Sequence, residues 1–324
     1  MVTCYPKFSG QRILVTGGSG FIGPHLCRVL CRNGAEIHAV SRKAIPATEN
    51  CPRWWQGDLS EIATARTLLK TIRPDVIFHL AGYAVGGRDL ELILPTFRSN
   101  LATTVNLLTA ATEIGCRRIV VAGSLEEPAL DDKEIVPSSP YAASKWASSA
   151  YARMFNRLYK TPVIIARIFM TYGPGEPNHQ KFIPHIINSL LRGESPKLSS
   201  GKREVDWIYV DDVVEGLILA AQTPDAEGCT VDLGSGILVS IKTVVENLVD
   251  IIGTDLKPLF GSIPERPMEQ VRVANTEVTH AKIGWQPKTL LEKGLKYTVD
   301  WHKAQFEKDE ARKSVMSDIK SFDE

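Results

Sequence analysis

The stretch Thr16-Gly17-Gly18-Ser19-Gly20-Phe21-Ile22-Gly23 constrains this chain more than any other segment. Ile13-Leu14-Val15 before it reads as a buried strand, and from Phe21 to Leu30 the apolar residues recur at helical spacing. Strand, glycine turn and helix form the start of a βαβ unit, where backbone N–H groups and the helix N-terminus attract a pyrophosphate. Gly17 takes the tight turn, Gly20 lets a ligand approach the backbone, and Gly23 lets the helix lie close to the strand. Phe21 and Ile22 open that helix. The glycines alone would fit an ordinary tight turn; their flanks point to nucleotide binding.

A chain of 324 residues can bury a large core. Its 38 Lys and Arg nearly balance 37 Asp and Glu, so no broad basic face for nucleic acid is implied. No segment is apolar for long enough to span a bilayer, and the N-terminus lacks a signal-peptide layout. The six cysteines (Cys4, Cys27, Cys31, Cys51, Cys116, Cys229) have no metal-ligand spacing, and Cys27 and Cys31 read as small buried residues of one helix face. The expectation is a soluble, cytoplasmic, reduced protein with no metal and no membrane partner.

Up to about residue 169, β-rich runs alternate with helical stretches, the pattern of a parallel sheet covered on both faces. Strands are expected at Ile13–Val15, Glu36–Val40, Val76–Leu80, Arg118–Ala122 and Val163–Ile168. Helices are expected at Glu61–Thr71, Thr96–Ile114 and Pro140–Tyr159. From Met170 Pro and Gly thicken, and strand and helix patterns resume at Asp206–Ala221, Thr230–Leu233 and Ile241–Ile252. The fold class is α/β: a Rossmann-type doubly wound parallel sheet over residues 1–169, then a smaller, interleaved substrate domain over 170–303, with one late strand returning to the sheet. Residues 304–324 read as a charged tail, a frayed helix followed by disorder.

The second expected strand ends in Ser41-Arg42-Lys43. An NAD-binding site usually carries Asp or Glu there to accept hydrogen bonds from the ribose 2′-OH. A carboxylate would repel a 2′-phosphate, whereas Arg42 would pair with one. NADP(H) is therefore favoured, with NAD(H) as the alternative. Tyr141-Ala142-Ala143-Ser144-Lys145 places a phenol and an amine four residues apart, one turn apart on one helix face. A phenol with an ordinary pKa near 10 needs such a neighbour to exchange protons at neutral pH.

With Ser124 ahead of that pair, the chain resembles the extended short-chain dehydrogenases/reductases of the nucleotide-sugar epimerase, dehydratase and reductase group. The resemblance runs from Gly17 to about Trp285. It includes Asn100 in Asn100-Leu101-Ala102-Thr103-Thr104, Arg167-Ile168-Phe169, Asp206-Trp207-Ile208-Tyr209-Val210-Asp211-Asp212, Arg266-Pro267 and Gly284-Trp285. It implies that Asp58 and Leu59 lie at the adenine, and that Leu80-Ala81-Gly82 leaves room for the nicotinamide ribose. Asn100 and Ile168 would support the cofactor, and Lys145 would bind its ribose. Ser124 would orient the sugar oxygen beside Tyr141. Lys181 and Arg266 would meet the nucleotide diphosphate. Met170 stands where many members have Asn, and Val205 where many have Arg, with Arg203 as a possible substitute. A homodimer is implied through the helices at Thr96–Ile114 and Pro140–Tyr159, with Trp146 and Tyr151 on the latter.

Ser124-Leu125-Glu126-Glu127 bears on the reaction. In dehydratases of the group the residue matching Glu126 removes the C5 proton, but Leu125 supplies no acid for the departing hydroxyl. Related reductases carry a Ser-Ser-Glu-Glu pattern. The expectation is an NADPH-dependent 4-ketoreductase acting on a nucleotide-linked 4-keto-6-deoxyhexose. A nucleotide-sugar 4-epimerase and a 4,6-dehydratase using Glu126 are the alternatives, and a cofactor sensor without turnover is the non-enzymatic one.

Overall fold

The computed structural model describes residues 8–46, 52–128, 136–265 and 268–320, with side chains as far as Arg312. Its strands are β1 (Arg12–Thr16), β2 (Glu36–Ser41), β3 (Arg53–Gln56), β4 (Val76–His79), β5 (Arg118–Ser124), β6 (Val163–Ile168), β7 (Met170–Tyr172), β8 (Glu204–Tyr209), β9 (Thr230–Leu233) and β10 (Leu238–Ser240). The helices are α1 (Ile22–Arg32), α2 (Ile62–Ile72), α3 (Ile93–Thr96), α4 (Thr103–Ile114), α5 (Pro140–Tyr159), α6 (Phe182–Leu191), α7 (Val210–Gln222), α8 (Ile241–Ile252), α9 (Thr276–Ile283) and α10 (Leu291–Lys320).

Seven strands form one parallel sheet in the order β3-β2-β1-β4-β5-β6-β9. The sheet is Rossmann-type, as expected. Its central strands are buried on both faces: Ile13 and Val15 belong to one core, Leu14 and Ile77 to the core on the opposite face. The order reverses between β1 and β4, so the crevice for a ligand lies beyond their carboxyl ends.

Strand β9 brings the chain back beside β6, the late return read from Thr230–Leu233. Strands β7, β8 and β10 make a separate three-stranded sheet, β8 parallel to β7 and antiparallel to β10. Ile186, Trp207, Leu248 and Leu295 share a third core with that sheet. Trp285 is fully buried, and its indole N–H donates to the Asp212 carbonyl at 2.9 Å.

Four expectations are corrected. Strand β3, with Trp54 and Trp55, has no counterpart in the sequence reading, because at an edge it is too short and polar-flanked to alternate clearly. The expected helix Thr96–Ile114 is α3, a π-helical turn Phe97–Ala102, then α4, all helical in backbone but not uniform. Residues 304–320 continue α10 instead of fraying from it. Cys31 is disulfide-bonded, so the expectation of a fully reduced chain fails there. Cys31 is half-buried, whereas Cys27, one turn earlier, is buried and free; Cys116 and Cys229 are also free. Cys4 and Cys51 lie outside the described residues.

Candidate active site

The glycine loop closes on backbone. Gly17 has φ of +73°, and a Cβ there would lie 2.7 Å from the Ala81 nitrogen. At Gly23 a Cβ would lie 2.3 Å from the Gly17 carbonyl oxygen, so only glycine lets α1 start against the loop. At Gly20 the nearest atom would be that same oxygen at 3.3 Å, which leaves the outer side open. Beside the loop lies a cavity of about 790 Å³, within the range for drug-sized and cofactor ligands.

Gly17, Gly20, Ser41, Arg42, Lys43, Asp58, Leu59, Ala81 and Gly82 all line this cavity, as the sequence reading grouped them. Arg42 and Lys43 are exposed, and Ser41 accepts from the Lys43 N–H at 3.2 Å, which shapes the turn. Phe21, Ile22 and Gly23 carry the loop into α1, and Leu80 backs it through its main chain. Ser19, Arg98, Ser99 and Thr103 also line the cavity and went unread. The signal for Ser19 was its place inside the glycine loop, and for Arg98, Ser99 and Thr103 their place beside Asn100, where the π-helical turn Phe97–Ala102 alters the helix phase.

Behind the cavity runs a buried chain of hydrogen bonds. Thr104 Oγ1 donates to the Asn100 carbonyl (2.6 Å), so it accepts from His79 Nε2 (2.9 Å). His79 Nδ1 then accepts from Thr16 Oγ1 (2.7 Å), which itself accepts from the Ala81 N–H (3.1 Å). Burial, with Lys145 nearby, holds His79 neutral, its pKa lowered to about 3. Asn100 Nδ2 donates to Ser144 Oγ (2.9 Å), Ser144 Oγ donates to the Tyr141 carbonyl (2.8 Å), and Asn100 Oδ1 accepts from the Tyr83 N–H (2.6 Å). Thr16, before the glycine loop, is thus tied to α5.

Helix α5 starts where Ser139 caps it, accepting from the Ala142 N–H at 3.1 Å, with Pro140 in the first turn. The cap orients Tyr141 and Lys145 on one face. Ser124, at the end of β5, acts on the Tyr141 phenol, and the register of β5 sets Ser124 beside Ile168. Lys145 is buried; its Nζ donates to the Ala122 carbonyl at 2.8 Å and would lie 3.7 Å from a Cβ at Gly82, on the cavity wall.

The expectation that the amine keeps this phenol acidic is corrected without a ligand. Burial pushes Tyr141 up, the Ser124 hydrogen bond opposes it, and Glu126 and Glu127 add to the rise. Burial lowers Lys145 to about 8, against the pull of Glu127. The half-buried phenol is therefore protonated in the ligand-free chain.

On the other side, Glu126, Ser139 and Arg203 line a small cavity of about 20 Å³ with Glu269 and Gln270. Ser139 Oγ lies 3.5 Å from Glu126 Oε2, and Arg203 pairs with Glu269 at 2.8 Å. Met170 is half-buried on β7 opposite Trp207, and Lys181 is exposed at the start of α6. Glu126, Met170, Lys181 and Arg203 do not line the first cavity, and Asn100, Ser124, Tyr141, Lys145 and Ile168 lie behind its lining instead of in it. Arg266 lies outside the described residues.

The family model of NAD-dependent epimerases and dehydratases matches residues 13–234, which hold the whole glycine loop, Ser124, Tyr141 and Lys145. The chain belongs to the NAD-dependent epimerase/dehydratase family. Among curated family members, a dTDP-glucose 4,6-dehydratase of Haemophilus influenzae is 28% identical, covering 90% of this chain and 98% of the relative. A UDP-glucose 4-epimerase of Mycolicibacterium smegmatis is also 28% identical, with the same two shares covered. Among solved structures, MoeE5 in complex with UDP-glucuronic acid and NAD is 31% identical with a TM-score of 0.80, covering 91% of this chain and 99% of that one. UDP-glucose 4-epimerase of Thermotoga maritima with UDP-glucose gives 25% and 0.82, with 91% and 99% covered. Family membership makes this an NAD(P)-dependent enzyme fold, and among the described residues no helix is long and apolar enough to cross a membrane and no group of side chains could hold a metal.

Proposed function

We propose that this chain reduces the C4 ketone of a nucleotide-linked 4-keto-6-deoxyhexose, using NADPH. The observation that carries the reading is the approach of Ser124 to the Tyr141 phenol, with Lys145 Nζ beside Gly82, which lines a cavity of dinucleotide size. A bound dihydronicotinamide supplies the hydride for C4. Tyr141 gives its hydroxyl proton to the ketone oxygen while Ser124 holds that oxygen, so one hydride and one proton turn C=O into CH–OH. Lys145 holds the ribose and carries a positive charge beside the developing phenolate. Glu126 and Glu127 favour the protonated phenol, the state from which a reduction starts.

Ser41, Arg42 and Lys43 line the cavity, and they favour a 2′-phosphate and thus NADP(H). Leu125, mostly buried and lining the small cavity beside Glu126, offers no acid for an elimination, which favours reduction over dehydration. Met170, Lys181, Arg203 and Arg266 would face the nucleotide sugar from a substrate domain at 170–303. Phe97, Tyr151 and Leu158 are exposed apolar residues on the two expected dimer helices, which supports a homodimer. A reaction drawing on NADPH fits the cytoplasm.

A UDP-hexose 4-epimerase is the second reading, favoured by relatives and solved neighbours that carry that name. There the same three residues take a proton from the C4 hydroxyl and later return it. A 4,6-dehydratase using Glu126 is the third, favoured by the dTDP-glucose 4,6-dehydratases among the relatives. The test is to identify any cofactor that copurifies, then to offer UDP-, dTDP-, CDP- and GDP-hexoses and their 4-keto-6-deoxy derivatives. NADPH consumed with a keto sugar is the expected result. Turnover of UDP-glucose without added cofactor, or formation of a 4-keto-6-deoxy product, overturns it in favour of the second or third reading.

A further inference from the structure

Glu127 is one of the most deeply buried carboxylates in the described residues, at 2% exposure, yet it lies in the turn that carries Ser124. Its Oε1 accepts from the Ser124 N–H at 2.8 Å and from Ser149 Oγ on α5 at 2.9 Å. Its own N–H donates to the Ser124 carbonyl at 3.1 Å, which closes the turn. Its carbonyl accepts from Arg272 Nη1 at 2.9 Å, a residue from the segment before α9. The strand makes room for it: a Cβ at Gly123 would lie 2.6 Å from Glu127 Oε1. A buried carboxylate is costly, and an apolar residue would close this turn at less cost. In the sequence Glu126 has a candidate role and Glu127 has none.

We propose that Glu127 is a positioning residue for the reaction: its carboxylate locks the Ser124 turn against α5 and sets a fixed negative charge behind Tyr141 and Lys145. The proposal rests on the reading that those two residues perform the proton transfer. The groups that face this centre are Tyr141 and Lys145 on α5, His79 on β4, Glu126 and Glu127 in the turn after β5, and Arg272, which meets Glu127 through its carbonyl. His79 is neutral, so it does not offset the carboxylates. A negative charge there favours the protonated form of both Tyr141 and Lys145, so Tyr141 starts as the phenol and Lys145 as the ammonium.

The test uses Glu127→Gln, which keeps an oxygen for the Ser124 N–H and removes the charge. In ligand-free protein the pH dependence of Lys145 acylation is read by mass spectrometry. With the wild-type amine near pKa 8, loss of the charge lowers the midpoint, and a one-unit fall raises labelling at pH 7 about fivefold. The basic limb of kcat/KM for ketone reduction moves down in pH by the same amount, and Glu127→Asp, which keeps the charge, restores most of both. A folded Glu127→Gln with unmoved midpoint and unmoved basic limb overturns the proposal, leaving Glu127 a structural residue. Should Glu127→Gln not fold, Glu127→Asp carries the test: the charge drawn back by one methylene gives a smaller fall, and an unchanged midpoint counts against the idea. Labelling needs no turnover, so its failure is separable from that of the reaction reading, which falls if Tyr141→Phe still reduces the ketone.

Discussion

The two ends of this site are built from opposite materials. Around the glycine loop the contacts are main chain against main chain: Gly17 and Gly23 are required because a Cβ would strike Ala81, Leu80 or Gly18 backbone. Around Tyr141 side chains make the contacts, with one another and with main chain: Ser149 donates to Glu127, Glu127 accepts from the Ser124 N–H, Lys145 donates to the Ala122 carbonyl, and Gly123 makes room for the Glu127 carboxylate. A backbone cradle binds a phosphate whatever substrate is present. A buried set of ionisable groups has its charge balance fixed by its neighbours, so small changes there alter chemistry rather than binding.

If that division holds, substitutions should separate binding from chemistry. Tyr141→Phe removes the proton donor and leaves the cradle intact. Turnover should fall about 10³- to 10⁴-fold with cofactor affinity near wild type by calorimetric titration. Joint loss of affinity and rate would merge the two ends into one. Gly23→Ala reverses the pattern: with its Cβ 2.3 Å from a carbonyl oxygen, the loop must shift, and cofactor affinity should fall by at least about tenfold. A normal affinity there would show that the cradle tolerates distortion.

His79 sits between the two ends and gives a pH-dependent probe. Its pKa is about 3 when folded, below the 6.5 of an exposed histidine. Below pH 6.5 the unfolded chain therefore binds a proton that the native ring refuses. Its contribution is complete above pH 6.5 and is lost as pH falls toward 3, a loss of about 3 kcal/mol by pH 4. Urea unfolding at pH 7 and pH 4, compared with His79→Gln, checks this; equal pH slopes in both proteins would contradict it. Arg42→Ala is the smallest expected effect. It should weaken NADPH about tenfold more than NADH, since only the former offers a phosphate to the guanidinium. Equal losses would remove the 2′-phosphate contact.

The same contrast explains what the sequence disclosed. Constraints that act between near neighbours were legible: the glycine spacing, the Ser-Pro start of α5, the Tyr141–Lys145 turn, and β6, β9 and α8 residue for residue. Constraints that act across the fold were not. The link from Thr16 through His79 and Thr104 to Asn100 joins β1, β4 and the π-helical turn, and no local pattern announces it. Arg98 faces the cavity only because that turn advances the helix by an extra residue. Short β3, β7 and β10 are strands because neighbours pair with them, not because their residues alternate. Glu127 reads as a loop carboxylate until Ser149, five residues down α5 from Ser144, turns out to donate to it.

The most direct measurement is the fate of deuterium from C4-deuterated NADPH during turnover of nucleotide-linked 4-keto-6-deoxyhexoses. A proton-donating Tyr141 beside a hydride donor predicts one deuterium at C4 of the product for each NADPH oxidised. Product formed with no label at C4, or inversion of a UDP-hexose with no NADPH consumed, would contradict net reduction at this site.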